Sequence, residues 1–226
     1  MVQINFNPFS STIPQTPQTG TTLKLLSQHG HSPAREQPHR PKDLPNRHPA
    51  LEQAIPLLEA LLAQANPSHY LEIRAITPQG KVSQYYHLIR DLFDKGMASA
   101  LPCHLDGKAN IYYGVCPRTR QEGTARAVEI ATAAWFDEIK KVPPPDLPPF
   151  SWMVQTSTGQ VQGGYFLKQP TRNLERVERL NRRLAVAVGG DNVGDRARVL
   201  RLPGFINCKY QGERAHLLEL HAGGVL

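Results

Sequence analysis

The chain is short of cysteine, of long apolar runs and of acidic side chains, and each shortage removes a class of protein. Of 226 residues only Cys103, Cys116 and Cys208 are cysteine, and no two stand as C-x-x-C. A disulfide scaffold is thereby excluded, and a reducing, cytoplasmic compartment is the expectation. Cys103, His104 and Cys116 would supply three zinc ligands, but no fourth lies close by in sequence, and small buried or half-buried thiols are the simpler account of them. No run approaches the ~18 apolar residues of a membrane span, so no membrane partner is expected. The opening MVQINFNPFSS has neither the basic start nor the apolar block of a secretory signal. Acidic residues number 19 against 26 Lys and Arg, a net charge of +7 that leans the molecule toward polyanions.

What the chain has in excess is proline, 20 residues, nearly double the ~5% of average usage. Both excesses are localised. Residues 1–50 carry net +3, residues 51–167 net −1, and residues 168–226 net +5. Segment 1–48 is rich in Gln, Thr, Ser, Pro and His and has no apolar period beyond LKLL at 23–26, so it is read as a disordered basic arm. The prolines of PPPDLPP, 143–149, form a rigid extended connector.

The remainder, 49–226, reads as one domain. Apolar residues at 51, 54, 55, 58, 61 and 62 give a helix stripe that Asn66-Pro67 ends. YLEIRAI (70–76) alternates as a strand, and Thr77-Pro78-Gln79-Gly80 is its turn. A second helix is expected over 84–98, a strand over 109–117, and another over 133–138. WMVQT (152–156) and GYFLK (164–168) flank a turn at 157–160. A basic helix follows over 171–188, then strands at 197–202 and near 216–221. This mixture predicts an α+β domain.

Four places concentrate polar residues that the local element does not need. Asp137-Glu138 closes an apolar segment, either as metal ligands or as a solvated strand end. Thr156-Ser157-Thr158-Gly159-Gln160-Val161-Gln162 is a small-residue turn, by itself a plain hairpin. Gly189-Gly190-Asp191 ends the basic helix, glycines suiting the left-handed positions there; the aspartate either faces a site or bonds its own turn. In Arg198-Val199-Leu200-Arg201-Leu202-Pro203-Gly204-Phe205-Ile206-Asn207-Cys208-Lys209, the two arginines lie on opposite strand faces, so one can turn inward. On the helix, Arg172, Arg176, Arg179 and Arg183 form one positive face opposite the leucines, a solvated surface or a groove for phosphates.

Taken in order, the carboxylate pair, the hairpin, the Gly-Asp helix end and the RLPGFINCK stretch resemble the RepB-like plasmid primases of the archaeo-eukaryotic primase (primase-polymerase) superfamily. The resemblance runs from Asn110-Ile111-Tyr112-Tyr113 to Lys209, and RLPGFINCK is its most specific piece. Asp137 and Glu138 match the adjacent form of the first motif, with glutamate where the plasmid primases have aspartate. The second motif matches the Ser-x-Gly-x-Tyr-Gln turn, with Val161 at the aromatic place and Gln162 where the wider superfamily has histidine. Asp191 matches the third.

The resemblance implies an RRM-like mixed sheet with flanking helices. It further implies a metal-dependent nucleotidyltransferase of a plasmid, phage or mobile element, making primers on a single-stranded DNA template from nucleoside triphosphates. A replicative helicase is the kind of further partner it suggests. Asp137, Glu138 and Asp191 would be the catalytic carboxylates holding two Mg²⁺ or Mn²⁺ ions, since hard cations prefer oxygen ligands. Ser157, Gln162, Arg201, Asn207 and Lys209 would bind the nucleotide, arginine being suited to bidentate phosphate contact. Arg172, Arg176, Arg179 and Arg183 would follow the DNA backbone. Neighbouring residues on a regular strand point to opposite faces, so Asp137 and Glu138 share a metal only if the strand ends or bulges there. A primase-fold protein that only binds single-stranded nucleic acid is the alternative. A rolling-circle nicking enzyme would need a metal-binding histidine pair, and His29-Gly30-His31 in the arm is the one nearby match.

Overall fold

The computed structural model describes residues 48–192, 194–209 and 212–221. The arm read over 1–48, with its His29-Gly30-His31, lies outside them except for His48. Helix α1 (Pro49–Leu62) opens the described part. Of its two prolines, Pro49 sits in the first turn, where a missing N–H costs nothing, and Pro56 lies inside the helix; His48 Nδ1 accepts from the Ala50 N–H at 3.2 Å. Ala54, Leu57, Leu58, Leu61 and Leu62 bury one stripe.

Strands β1 (Tyr70–Ile76) and β2 (Val82–Leu88) form a hairpin, pairing Ile76 with Val82 and Tyr70 with Leu88. The helix expected over 84–98 is corrected here. Its first part is β2, because the turn at 77–81 folds Val82, Tyr85 and Tyr86 back into a ladder that suits β-branched and aromatic residues. Only Ile89–Lys95 is α-helical (α2), ended by Gly96 at φ 96°, after which Met97–Ala100 forms a 3₁₀ turn. Strand β3 (Asn110–Gly114) pairs with β1 and with β7 (Val199–Arg201), giving the sheet order β2-β1-β3-β7.

The second sheet has the order β4-β6-β5-β8, from β4 (Ala131–Phe136), β5 (Trp152–Ser157), β6 (Gln160–Thr171) and β8 (His216–Leu220). The α+β class read from the sequence holds. The strands, expected in a mixed sheet, form antiparallel pairs, two of which, β1–β2 and β5–β6, are hairpins closed by short turns.

Strand β4 is buried on both faces, which explains its run of small and apolar residues. Ala131, Ala133 and Trp135 join the main core with α1 and the first sheet; Ala134 and Phe136 face a second cluster with Leu184 and Val188 of α3 (Leu174–Val188). Asn181 of α3 is buried and accepts from the Trp135 N–H at 3.0 Å. The second sheet is therefore a middle layer, and β4 is fixed from both sides up to Phe136.

A buried ion pair secures the approach to β7. Glu72 and Arg118, both fully buried, meet at 2.7 Å, and Arg118 also donates to the carbonyls of Arg196 (3.4 Å) and Ala197 (2.9 Å). Removing one partner of such a pair costs about 3–5 kcal/mol.

Candidate active site

The end of β4 supplies the break that adjacent carboxylates require. After Phe136 the chain leaves the regular ladder, and Glu138 takes φ 69°, the single non-glycine residue with positive φ among the described residues. Left-handed backbone is costly for a residue with a Cβ. It turns Glu138 out of the strand alternation, so that Asp137 and Glu138 line one cavity of about 210 Å³ together with Asp191, Thr156, Gln160 and Lys209.

Asp191 reaches that cavity through the two glycines before it. Gly189 ends α3 at φ 69° with its N–H on the carbonyls of Ala185 and Val186. Gly190 lies directly against the backbone of 137–138, where a Cβ would collide with the carbonyl oxygens of both residues. That close approach lets the Asp191 N–H donate to the Asp137 carbonyl at 3.2 Å. Two segments over fifty residues apart in sequence are thus joined backbone to backbone.

The three carboxylates sit in different fields. Burial holds the Asp137 carboxyl above the usual carboxylate range; Arg198 pulls it down, while Asp191 and Glu138 push it up. Asp191 is exposed and lies below that range because the Lys140 ammonium, 2.8 Å away, bonds to it. The same ammonium is 2.7 Å from Glu138 Oε2. The donor set fits a hard divalent cation, being all carboxylate oxygen on one cavity. As the side chains stand, no three His, Cys, Asp or Glu among the described residues are grouped closely enough to hold an ion.

A second cavity of about 180 Å³ shares Asp137, Thr156, Gln160 and Lys209 with the first and adds Tyr112, Gln162, Val199, Leu200, Arg201 and Asn207. Of the two strand arginines it is Arg201 that turns inward, 8% exposed. Its guanidinium donates to Asn110 Oδ1 (2.8 Å) and Tyr112 Oη (3.0 Å) and lies 4.9 Å above the Tyr112 ring. Tyr112 stands opposite Arg201 in the β3–β7 ladder. Asn110 and Tyr112 are two residues apart on one strand face.

Gln162, expected to bind the nucleotide, lines the second cavity with its amide already engaged by Arg201. Its Nε2 donates to the Arg201 carbonyl (2.6 Å) and its Oε1 accepts from the Arg201 N–H (3.0 Å). Its amide thus ties the second sheet to β7 and fixes Arg201. Asn207 is similarly engaged, Nδ2 on the Thr156 carbonyl at 2.8 Å and Oδ1 accepting from the Lys209 N–H at 3.1 Å. Ser157 is buried and donates to Gln160 Oε1 at 3.1 Å, while its neighbours Thr156 and Gln160 line both cavities.

The arginines of the basic helix line cavities other than these two. Arg176 lines a groove with Leu167, Lys168, Gln169, Thr171, Val177 and Leu180; Arg179 and Arg183 line another with Arg182 and Val186. Arg172 precedes the helix and is 3.6 Å from Glu129. Residues to which the sequence reading gave no site role are Asn110, Tyr112, Thr156, Gln160, Lys140 and Arg198. The period-two spacing of Asn110 and Tyr112 was the one available signal; Lys140 and Arg198 reach the carboxylates only through the fold.

Residues 141–219 match the family of the RepB DNA-primase N-terminal domain. That stretch of the chain is similar to the RepB-like primases. The matched stretch holds Asp191, Gln162, Arg201, Asn207 and Lys209 and begins just after Asp137 and Glu138. The likeness in fold to solved structures extends beyond it. The AEP domain of the cyanophage S-2L primase-polymerase is similar at 17% identity and a TM-score of 0.56, covering 76% of this chain and 91% of that one. The catalytic domain of primase RepB′, solved with initiator DNA, is similar at 16% identity and a TM-score of 0.53, covering 74% and 87%. A further RepB′ structure gives a TM-score of 0.56 at 15% identity, covering 78% of this chain and 58% of that one. No curated protein matches. No helix among the described residues is long and apolar enough to cross a membrane.

Proposed function

We propose that this chain is a DNA primase or primase-polymerase of a plasmid, phage or other mobile element, which joins nucleoside triphosphates on a single-stranded DNA template. The observation that carries the reading is the pair of adjoining cavities, one lined by three carboxylates and the other by Arg201 and Lys209, sharing Asp137 as a common wall. Mg²⁺ or Mn²⁺ held by Asp137, Glu138 and Asp191 would supply charge neutralisation and an activated 3′-hydroxyl. The chain's own work is positioning. Arg201, already oriented by Asn110, Tyr112 and Gln162, offers a planar cation to the triphosphate, and Lys209 offers a point charge at the boundary of the two cavities. Arg176, Arg179 and Arg183 suit a template backbone, and the RepB′ catalytic domain, a structural neighbour, was solved with initiator DNA.

One observation favours the alternative, a primase-fold protein that only binds single-stranded nucleic acid: Glu138 and Asp191 already share a cation in Lys140. A primer-synthesis assay on single-stranded DNA with Mg²⁺ or Mn²⁺ separates the two. The proposal expects labelled dinucleotides and longer products from the wild type, lost in Asp191→Asn with DNA binding retained. A wild-type protein that binds DNA and never forms a dinucleotide overturns it in favour of the binding module.

A further inference from the structure

We propose that the Lys140 ammonium is a built-in cation of the acidic cavity, and that a divalent ion reaches the Glu138 and Asp191 carboxylates only by displacing it. The inference rests on the reading of these carboxylates as metal ligands and adds a residue that regulates their access.

The geometry is specific. Lys140 Nζ lies 2.7 Å from Glu138 Oε2 and 2.8 Å from Asp191 Oδ1, so one ammonium bridges carboxylates from the two segments that the fold brings together. The lysine is delivered by fixed backbone: its N–H donates to the Val188 carbonyl at 2.9 Å, and the Lys141 N–H shares that carbonyl at 3.1 Å. Val188 is the last residue of α3, one step before the Gly189-Gly190 turn that places Asp191. The turn that positions the third carboxylate therefore also anchors the lysine that neutralises it.

Chemistry makes the two occupants exclusive. An ammonium has three donors and no acceptor, and it uses the same carboxylate oxygens that a hard cation coordinates. An ammonium and a divalent ion bridging the same two carboxylates would stand within a few ångströms and repel. Lys140's side chain is half exposed, at 50%, so water is available to receive it when it leaves. Lys141 gives the internal control. It shares the anchor and the charge, but its side chain packs beside Gly189 and bridges no carboxylates among the described residues.

The experiment measures Mn²⁺ binding to the full chain, without nucleotide or DNA, by calorimetry and by the electron paramagnetic resonance signal of free Mn²⁺. Wild type is compared with Lys140→Met, Lys140→Arg, Lys141→Met and Asp191→Asn, with thermal melting to confirm folding. The proposal expects Lys140→Met to bind Mn²⁺ at least tenfold more tightly than wild type. Lys140→Arg, which keeps the charge, should stay within about threefold of wild type, and so should Lys141→Met. Asp191→Asn should weaken binding. If Lys140→Met binds no more tightly than Lys141→Met while Asp191→Asn still weakens binding, the displacement idea fails and the metal reading stands. If neither wild type nor Lys140→Met binds Mn²⁺, the metal reading fails and the displacement idea with it.

Discussion

The two halves of the cleft are built by opposite rules. In the basic half, Lys209 is exposed, but the other polar side chains are buried and committed before any ligand arrives: Gln162 and Asn207 are at most 2% exposed, and Arg201 is held through its guanidinium and both its backbone polar groups. In the acidic half Asp191 and Lys140 have side chains 62% and 50% exposed and are joined by ion pairs that water screens. The contrast teaches where each half draws its order from. The Arg201 side is preorganised by hydrogen bonds between the sheets; the carboxylate side is shaped by backbone at Glu138 and Gly190, and on the proposed reading a cation completes its arrangement.

The largest effect that sharpens this comparison comes from the acidic half. Asp137→Asn and Asp191→Asn should each lower primer synthesis by at least about 10³-fold, as expected for a group that holds catalytic charge, without lowering the melting temperature. A variant that loses activity together with its fold would place these residues in the scaffold. Next comes Arg201→Lys, which retains charge but loses the planar fork and the Tyr112 stack. The Michaelis constant for nucleotide should rise roughly 10–100-fold, since charge-assisted hydrogen bonds are worth about 1.5–3 kcal/mol. If turnover falls instead while the Michaelis constant is unchanged, the arginine is not acting in ground-state binding.

Gln162→Ala should show the opposite balance from the aspartates. It strands a buried N–H and carbonyl of Arg201, at a cost of about 1–3 kcal/mol, so melting should fall by several degrees. Unchanged melting would mean that the inter-sheet amide is dispensable. On the helix, Arg183→Ala should weaken single-stranded DNA binding and reduce the magnitude of its log–log salt slope by about 1; an unchanged slope would leave that face merely solvated.

The smallest effect is a pH dependence at Asp137. Burial raises its folded pKa above the unfolded value, so the folded chain holds this proton to higher pH. Its contribution to stability is therefore full below the ordinary carboxylate range and declines as pH rises through the raised value. Asp137→Asn should melt at or above the wild-type temperature at neutral pH, and the gap should close on acidification. A gap that widens in acid would reverse the assigned sign.

Much of the fold was readable because single residues controlled it. Period-two alternation gave β1 to the residue, and the Gly-Gly pair marked the end of α3. The misreading of β2 as helix arose because VSQYYHL has no clean alternation; its ladder with β1, a tertiary fact, decides its state. In the site, the carboxylates and Arg201 were legible as residue types out of place in their elements. The committed amide of Gln162 was not, because its partner is the backbone of a residue 39 positions away, and backbone partners leave no mark in sequence. Lys140 was hidden for a related reason: only the fold brings it to Asp191, 51 positions away.

The most direct measurement is a crystal of the chain soaked with Mn²⁺ and a nucleoside triphosphate, with anomalous scattering recorded at the manganese edge. The account predicts an anomalous peak bounded by Asp137, Glu138 and Asp191, Lys140 turned away from that pair, and the triphosphate against Arg201 and Lys209. A nucleotide bound elsewhere, or manganese absent from all three carboxylates while the nucleotide is in place, would contradict it.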